Sequence, residues 1–251
     1  MECYQGITSR YLVPALGARG LDEIRASEIQ TIIAGLRRDG KGRTAQLVRT
    51  VARLLWAEAL ELGYCSGNPV APLRKPRHKA AVSRALTAGE ASAMAAAGVD
   101  DPYWCAYALM LRAGLRRGEV IGLRWQDVRA DQGVIHICQA ATMVGGRLVV
   151  GPPKSAAGER DVPISDQLGR EIRLQRWRCR MAGRDGPQHY VVPGASGAMV
   201  RVSTLRDHMA KICAAAGIGH VTMHQLRHTM ATRAVQMGLA VPTLQYVLGH
   251  G

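Results

Sequence analysis

Val134-Ile135-His136-Ile137-Cys138-Gln139-Ala140-Ala141-Thr142-Met143-Val144-Gly145-Gly146-Arg147-Leu148-Val149-Val150 is the stretch in which this chain changes its hydrophobic period. On both sides of it, apolar residues recur three and four positions apart, as on one face of a helix. Within it, β-rich runs at 134–138 and 147–150 flank a Gly-Gly pair. Two such runs around Gly145-Gly146 predict a β-hairpin. Arg160-Asp161-Val162-Pro163-Ile164 predicts a third short strand. A small antiparallel sheet set into a helical chain makes the fold class mainly α, that is α+β.

Upstream of the sheet, Trp104 to Ala113 reads as a helix, and another opens after Gly114-Leu115-Arg116-Arg117-Gly118. Thr87-Ala88-Gly89-Glu90 has the T-x-x-E form of a capping box before an Ala-rich helix. Residues 71–85 carry Pro72, Pro76 and the basic residues Arg74, Lys75, Arg77, Lys79 and Arg84. That composition predicts an extended, solvated linker. Before it, residues 1–70 form a helical unit. Leu21 to Leu36 has apolar residues at Ile24, Ile29, Ile32 and Ile33, with Ser27 and Gln30 as a capping box for its second part. A further helix is capped by Thr44, runs to Leu62 and ends at Gly63. Residues 1–10 read as the tail of a first helix. From Ser165 onward the chain is helical again, with loops near 183–187 and 193–197. The expected organisation is therefore 1–70, a basic linker at 71–85, and 86–251.

Among 251 residues, 33 Lys and Arg face 19 Asp and Glu, a net charge of +14. Such an excess in a chain that is 47% apolar points to a polyanionic partner, nucleic acid first and an anionic membrane surface second. No run approaches the roughly 18 apolar residues of a membrane-spanning helix, and the first 20 residues lack the pattern of a signal peptide. The six cysteines form no C-x-x-C pair, which argues against a zinc site or a disulfide framework and for a reducing, cytoplasmic setting.

Four separated segments carry candidate chemistry: Gly114-Leu115-Arg116-Arg117-Gly118-Glu119; Pro153-Lys154-Ser155 with Arg160-Asp161-Val162-Pro163; His224-Gln225-Leu226-Arg227-His228; and Leu248-Gly249-His250. Each is weak alone. Arg116 in an Arg-rich helix start is most simply a solvated charge, and Lys154 after two prolines an ordinary turn residue. His224 and Arg227 lie one helical turn apart and so share a face.

In this order, the four segments resemble the tyrosine recombinase, or phage integrase, family over nearly the whole chain. The resemblance implies a helical core-binding domain at 1–70 and the mixed catalytic domain of DNA breaking-rejoining enzymes at 86–251. It makes Arg116 and Arg227 the pair that holds the non-bridging oxygens of a phosphodiester, with Glu119 supporting Arg116. Guanidiniums suit that task because they stay charged and donate in pairs. Lys154 becomes the proton donor to the leaving 5′-oxygen, and His224 the acceptor of the tyrosine proton or a donor to phosphate. His250 donates to a phosphate oxygen, with His228 in support. No metal or cofactor is expected, since protein cations carry the charge, and no P-loop segment is present.

The family's reaction proceeds through a 3′-phosphotyrosyl intermediate. Its nucleophile lies a short helix beyond the Leu248–His250 segment, and no tyrosine occupies such a place in these 251 residues. Tyr246 and Tyr190 fall elsewhere in the pattern. The expectation is a chain without its nucleophile, inactive in cleavage and still able to bind DNA. By the same resemblance, the two domains clamp double-stranded DNA with the helix from Thr44 facing the groove; the candidate contacts are Lys41 and Arg43 before that helix, Thr44, Arg49 and Arg53 on it, and Lys79 in the linker. The full-length family member acts as a tetramer on DNA. Two other readings fit the motifs: a type IB topoisomerase-like enzyme, and a DNA-binding remnant without catalysis.

Overall fold

In the computed structural model, residues 2–76, 84–153 and 156–249 are described. The chain divides into two compact units, Met1–Val82 and Ser83–Gly251.

The first unit is helical. α1 (Glu2–Ile7) and α2 (Val13–Leu16) are joined by a wider π-helical turn at Thr8–Leu12. A short 3-10 turn at Leu21–Glu23 precedes α3 (Ala26–Arg38), and α4 spans Gly42–Glu61. The predicted helix at 21–36 is thus two elements. α3 starts earlier than a Ser27 cap would allow: the Glu28 carboxylate accepts from the Arg25 backbone amide at 2.9 Å, so Glu28, not Gln30, closes the first turn. Thr44 likewise lies inside α4, which is entered from Lys41. Ile29, Ile33 and Leu36 of α3 pack with Val48, Val51, Ala52 and Trp56 of α4, so the core spacing read from the sequence holds even where the caps move. Gly63, at φ +75°, ends α4, with the Tyr64 amide reaching back to the Ala59 carbonyl at 2.8 Å.

Much of the predicted linker that is described does not run free. Val70 is fully buried, Arg49 Nε donates to the Leu73 carbonyl at 2.7 Å, and Gln46 Nε2 donates to the Pro76 carbonyl at 2.7 Å. Side-chain donors of α4 thus tie residues 70–76 to the first unit.

The second unit is built around α6 (Trp104–Ala113), introduced by α5 (Ala88–Gly98). Thr87 and Glu90 form the expected capping box, Glu90 N to Thr87 Oγ1 at 3.2 Å and Thr87 N to Glu90 Oε2 at 2.9 Å. α6 is apolar on nearly every side, the signature of a helix buried all round, and every residue from Trp104 to Leu111 is buried. α7 (Arg117–Gly122) follows. Then come β1 (Val128–Arg129), β2 (Val134–Ile137), β3 (Ala140–Val144), β4 (Arg147–Gly151) and β5 (Arg160–Pro163). α8 (Asp166–Met181), α9 (Val202–Ala215), α10 (Met223–Gln236) and α11 (Val241–Leu248) complete the unit. α6 packs against α8 and α10, and α5 against α9. Among the described residues, no helix is long and apolar enough to cross a membrane.

The hairpin differs from its prediction. Gly145 and Gly146 do form a tight turn with positive φ at both positions, but the turn joins β3 to β4. Residues 134–137 belong to a separate antiparallel sheet of order β1-β2-β5, in which Ile135 pairs with Val162 and Ile137 with Arg160. The reason is burial. Ile135 and Ile137 alternate cleanly into the core, whereas β3 is mostly exposed and offers no apolar alternation to read.

Two glycines seat the hairpin on α7. A Cβ at Gly118 would stand 2.5 Å from the Ala141 carbonyl oxygen, and one at Gly122 would stand 3.2 Å from the Ala141 amide nitrogen. A Gly118→Ala chain must therefore push β3 off the helix. We expect it to lose about 1–3 kcal/mol of stability, as over-packing does, read as a lower urea midpoint at unchanged slope. A variant as stable as the wild type would show that the hairpin is free to slide.

Candidate active site

Gly114 ends α6 in the left-handed conformation, at φ +66°. The chain then turns through buried Leu115, and Arg116 becomes the extended residue before α7. Glu119, three positions on, accepts from the Arg116 backbone amide at 2.7 Å and from Arg116 Nη1 at 2.8 Å. The pairing is local: one carboxylate caps the helix and orients the side chain of its cap.

Glu119 is only 2% exposed and holds a second guanidinium, that of Arg160 in β5. Arg160 Nη1 donates to Oε1 at 3.1 Å and Nη2 to Oε2 at 2.9 Å. Burial alone would raise the Glu119 carboxyl. The hydrogen bonds and charge of Arg160, with the Arg116 amide and guanidinium, overcome it and hold the carboxyl below its ordinary 4.5.

Arg227 enters from α10, whose start is capped by Thr222 and Gln225. It is buried, donating from Nη1 to the Gly114 carbonyl and from Nη2 to the Leu248 carbonyl at 2.6 Å. The end of α11 is gripped by three arginines in register: Arg160 Nε takes the Val247 carbonyl at 2.6 Å, Arg227 that of Leu248, and Arg116 Nη2 that of Gly249 at 2.7 Å. These carbonyls are the ones a helix C-terminus leaves unpaired, and cations are favoured there.

Arg116, Arg227 and His224 line one cavity of about 430 Å³, with Leu115, Arg117, Gly118 and Met223. Arg116, Arg117 and Arg227 bring three guanidiniums to its lining, which holds no carboxylate among the described residues. Burial, with repulsion from Arg116 and Arg160 against attraction to Glu119, lowers Arg227 to about 10, so it remains a cation at neutral pH. An excess of fixed positive charge lining a cavity is a site for an anion. Paired N–H donors on two guanidiniums suit the oxygens of a phosphate.

His228 is exposed on α10 and is not among the residues lining this cavity. Lys154, His250 and Lys79 lie outside the described residues. In the first unit, Lys41, Arg43 and Arg53 are exposed, Lys41 facing Asp39 at 3.3 Å and Arg43 facing Gln46 at 3.5 Å. Thr44 is half-buried. Arg49 turns inward, its guanidinium held by the Leu73 carbonyl, so it does not share an open face with Arg53. Arg160 lies in one of the candidate segments but was given no role by sequence reasoning. Its signal was there: in strand order it falls on the same face as Val162, which is a core position.

The family model of the phage integrase family matches residues 86–251. The chain belongs to the phage integrase family. Among relatives of this integrase-family chain, the integrase of Mycobacterium phage L5 is 28% identical over 99% of this chain and 67% of its own length. A tyrosine recombinase XerC from Xylella fastidiosa is 26% identical over 89% of this chain and 72% of its own. Among solved structures, the Tn1549 transposon integrase in complex with a circular intermediate DNA superposes with a TM-score of 0.82 at 18% identity, covering all of this chain and 84% of that one. A lambda integrase dimer bound to a COC′ core site gives 0.74 at 21% identity, over 99% of this chain and 83% of that one. At such identities the likeness speaks for the integrase fold.

Proposed function

We propose that this chain acts in site-specific DNA recombination, breaking and rejoining strands of double-stranded DNA through a 3′-phosphotyrosyl intermediate. The observation that carries the reading is the convergence of Arg116, Arg227 and His224 on one cavity. In the proposed reaction, a tyrosine hydroxyl attacks the phosphorus and its proton passes to His224. The bond to the 5′-oxygen breaks, and that oxygen takes a proton from Lys154. Arg116 and Arg227 hold the two non-bridging oxygens as charge builds on them, with His250 donating beside them. Preorganised donors of this kind are worth several kcal/mol to the transition state. Rejoining is the reverse, with a 5′-hydroxyl attacking the phosphotyrosine, so no nucleotide is consumed.

None of the seven tyrosines of this chain is among the residues lining the cavity, and Tyr246, the one near the site in sequence, is 59% exposed. We therefore assign the attack to none of these seven. Lys41, Arg43 and Arg53 supply phosphate contacts from the first unit, and protomers assemble on the DNA as a tetramer.

Binding tests the reading. For a clamp of roughly 6–10 phosphate contacts, duplex affinity of residues 1–251 should fall by about 10³–10⁵ between 50 and 200 mM salt. On a duplex nicked beside the cleavage position, the same residues should bind without leaving a covalent adduct on a denaturing gel. Salt-insensitive binding would remove the phosphate reading, and an adduct would show that an internal tyrosine attacks.

A further inference from the structure

We propose that Arg160 is a positioning residue for strand transfer, fixing the Arg116 guanidinium and the last turn of α11 against each other. This rests on reading the Arg116–Arg227 cavity as the phosphate site. Arg160 lines neither that cavity nor the neighbouring one between α7 and the hairpin, so it acts through other residues. Its side chain is fully buried, and its donors go to three separate places: Glu119 of α7, the Gly158 carbonyl at 2.9 Å, and the Val247 carbonyl of α11.

The geometry is that of a slot. Glu119 Oε1 accepts from both Arg116 Nη1 and Arg160 Nη1, so one carboxylate oxygen holds two like charges side by side. Gly249 lies against both guanidiniums and the Ala157 carbonyl. A Cβ there would stand 2.9 Å from Arg160 Nη1 and 3.1 Å from Arg116 Nη1, and the residue has φ +63°. Only glycine fits the gap and the backbone conformation together. Stability alone does not call for this arrangement, because a well-packed apolar residue commonly serves as well as a buried ion pair. An apolar residue cannot take the Val247 carbonyl and the Glu119 carboxylate at once. Removing the fork leaves Glu119 held by Arg116 alone, so the two can turn together, and the end of α11 loses one of its three arginine anchors.

The test uses residues 1–251 as wild type and Arg160→Lys, which keeps the charge but not the planar fork. Two readouts are taken on each folded protein: the side-chain N–H signals of Arg116 by nitrogen-15 NMR, assigned with Arg116→Lys, and the affinity for orthovanadate. We expect resolved, slowly rotating Arg116 signals in the wild type, collapse to an averaged signal in Arg160→Lys, and an affinity lower by about tenfold. Wild-type signals in a folded Arg160→Lys chain overturn the proposal, as does collapse with vanadate affinity unchanged. Collapse in a system where even the wild type ignores vanadate leaves Arg160 as the organiser and removes the phosphate reading instead. Should Arg160→Lys fail to fold, Gly249→Ala pushes on the same slot from inside. Unaltered Arg116 signals in that variant also overturn the proposal.

Discussion

Glu119→Gln should lower the melting temperature more than any other single change at this site. Glutamine keeps the shape and can still cap the Arg116 amide, but it leaves Arg160 as a buried cation without its counter-charge, at 0% side-chain exposure. Breaking a buried pair by removing one partner costs about 3–5 kcal/mol, or roughly 6–20 °C for a chain of this size. The pH dependence carries the same signature. The Glu119 carboxyl is held below its ordinary 4.5 in the folded chain, so its contribution is fully present above that value and is lost as pH falls through the folded pKa. Wild-type stability should therefore fall more steeply below about pH 4.5 than that of Glu119→Gln, which has nothing to titrate there. Thermal unfolding followed from pH 3 to 7 reads both effects. Parallel curves would mean that Glu119 is not carrying the Arg160 charge.

The second large effect is on anion binding. Arg227→Lys retains a cation at the cavity but not a planar fork that spans the Gly114 and Leu248 carbonyls while facing bound oxygens. Hydrogen bonds from a charged donor contribute about 1.5–3 kcal/mol each, so losing one well-placed bond should weaken a tetrahedral oxyanion by about 10- to 100-fold. Arg116→Lys should behave similarly, with a smaller loss of stability, because its side chain is 40% exposed and its backbone role as the cap of α7 survives.

Much of this was legible in the residues. Helix periodicity found the core of the first unit, Ile29 and Ile33 against Val48 and Val51, because that signal comes from burial on one face. The Thr87 cap was legible because a capping box is a local event. β3 was not, since a strand that buries only Ala141 and exposes Thr142, Met143 and Val144 carries no pattern that distinguishes it from a loop. The helix starts at Arg25 and Lys41 were missed for a related reason: neither is a usual cap, and their positions follow from packing. At the site, Arg116, Glu119, His224 and Arg227 stood out by motif, whereas the slot around Gly249 depends on β5 and α11 meeting α7, through residues 41 to 133 positions apart in sequence.

Whether Arg116 and Arg227 together form a phosphate site is decided by orthovanadate titration of the wild type, Arg116→Lys and Arg227→Lys. We expect one binding event per chain in the wild type, weakened about 10- to 100-fold in each variant while circular dichroism stays that of a folded chain. Equal affinity in all three folded proteins would contradict it.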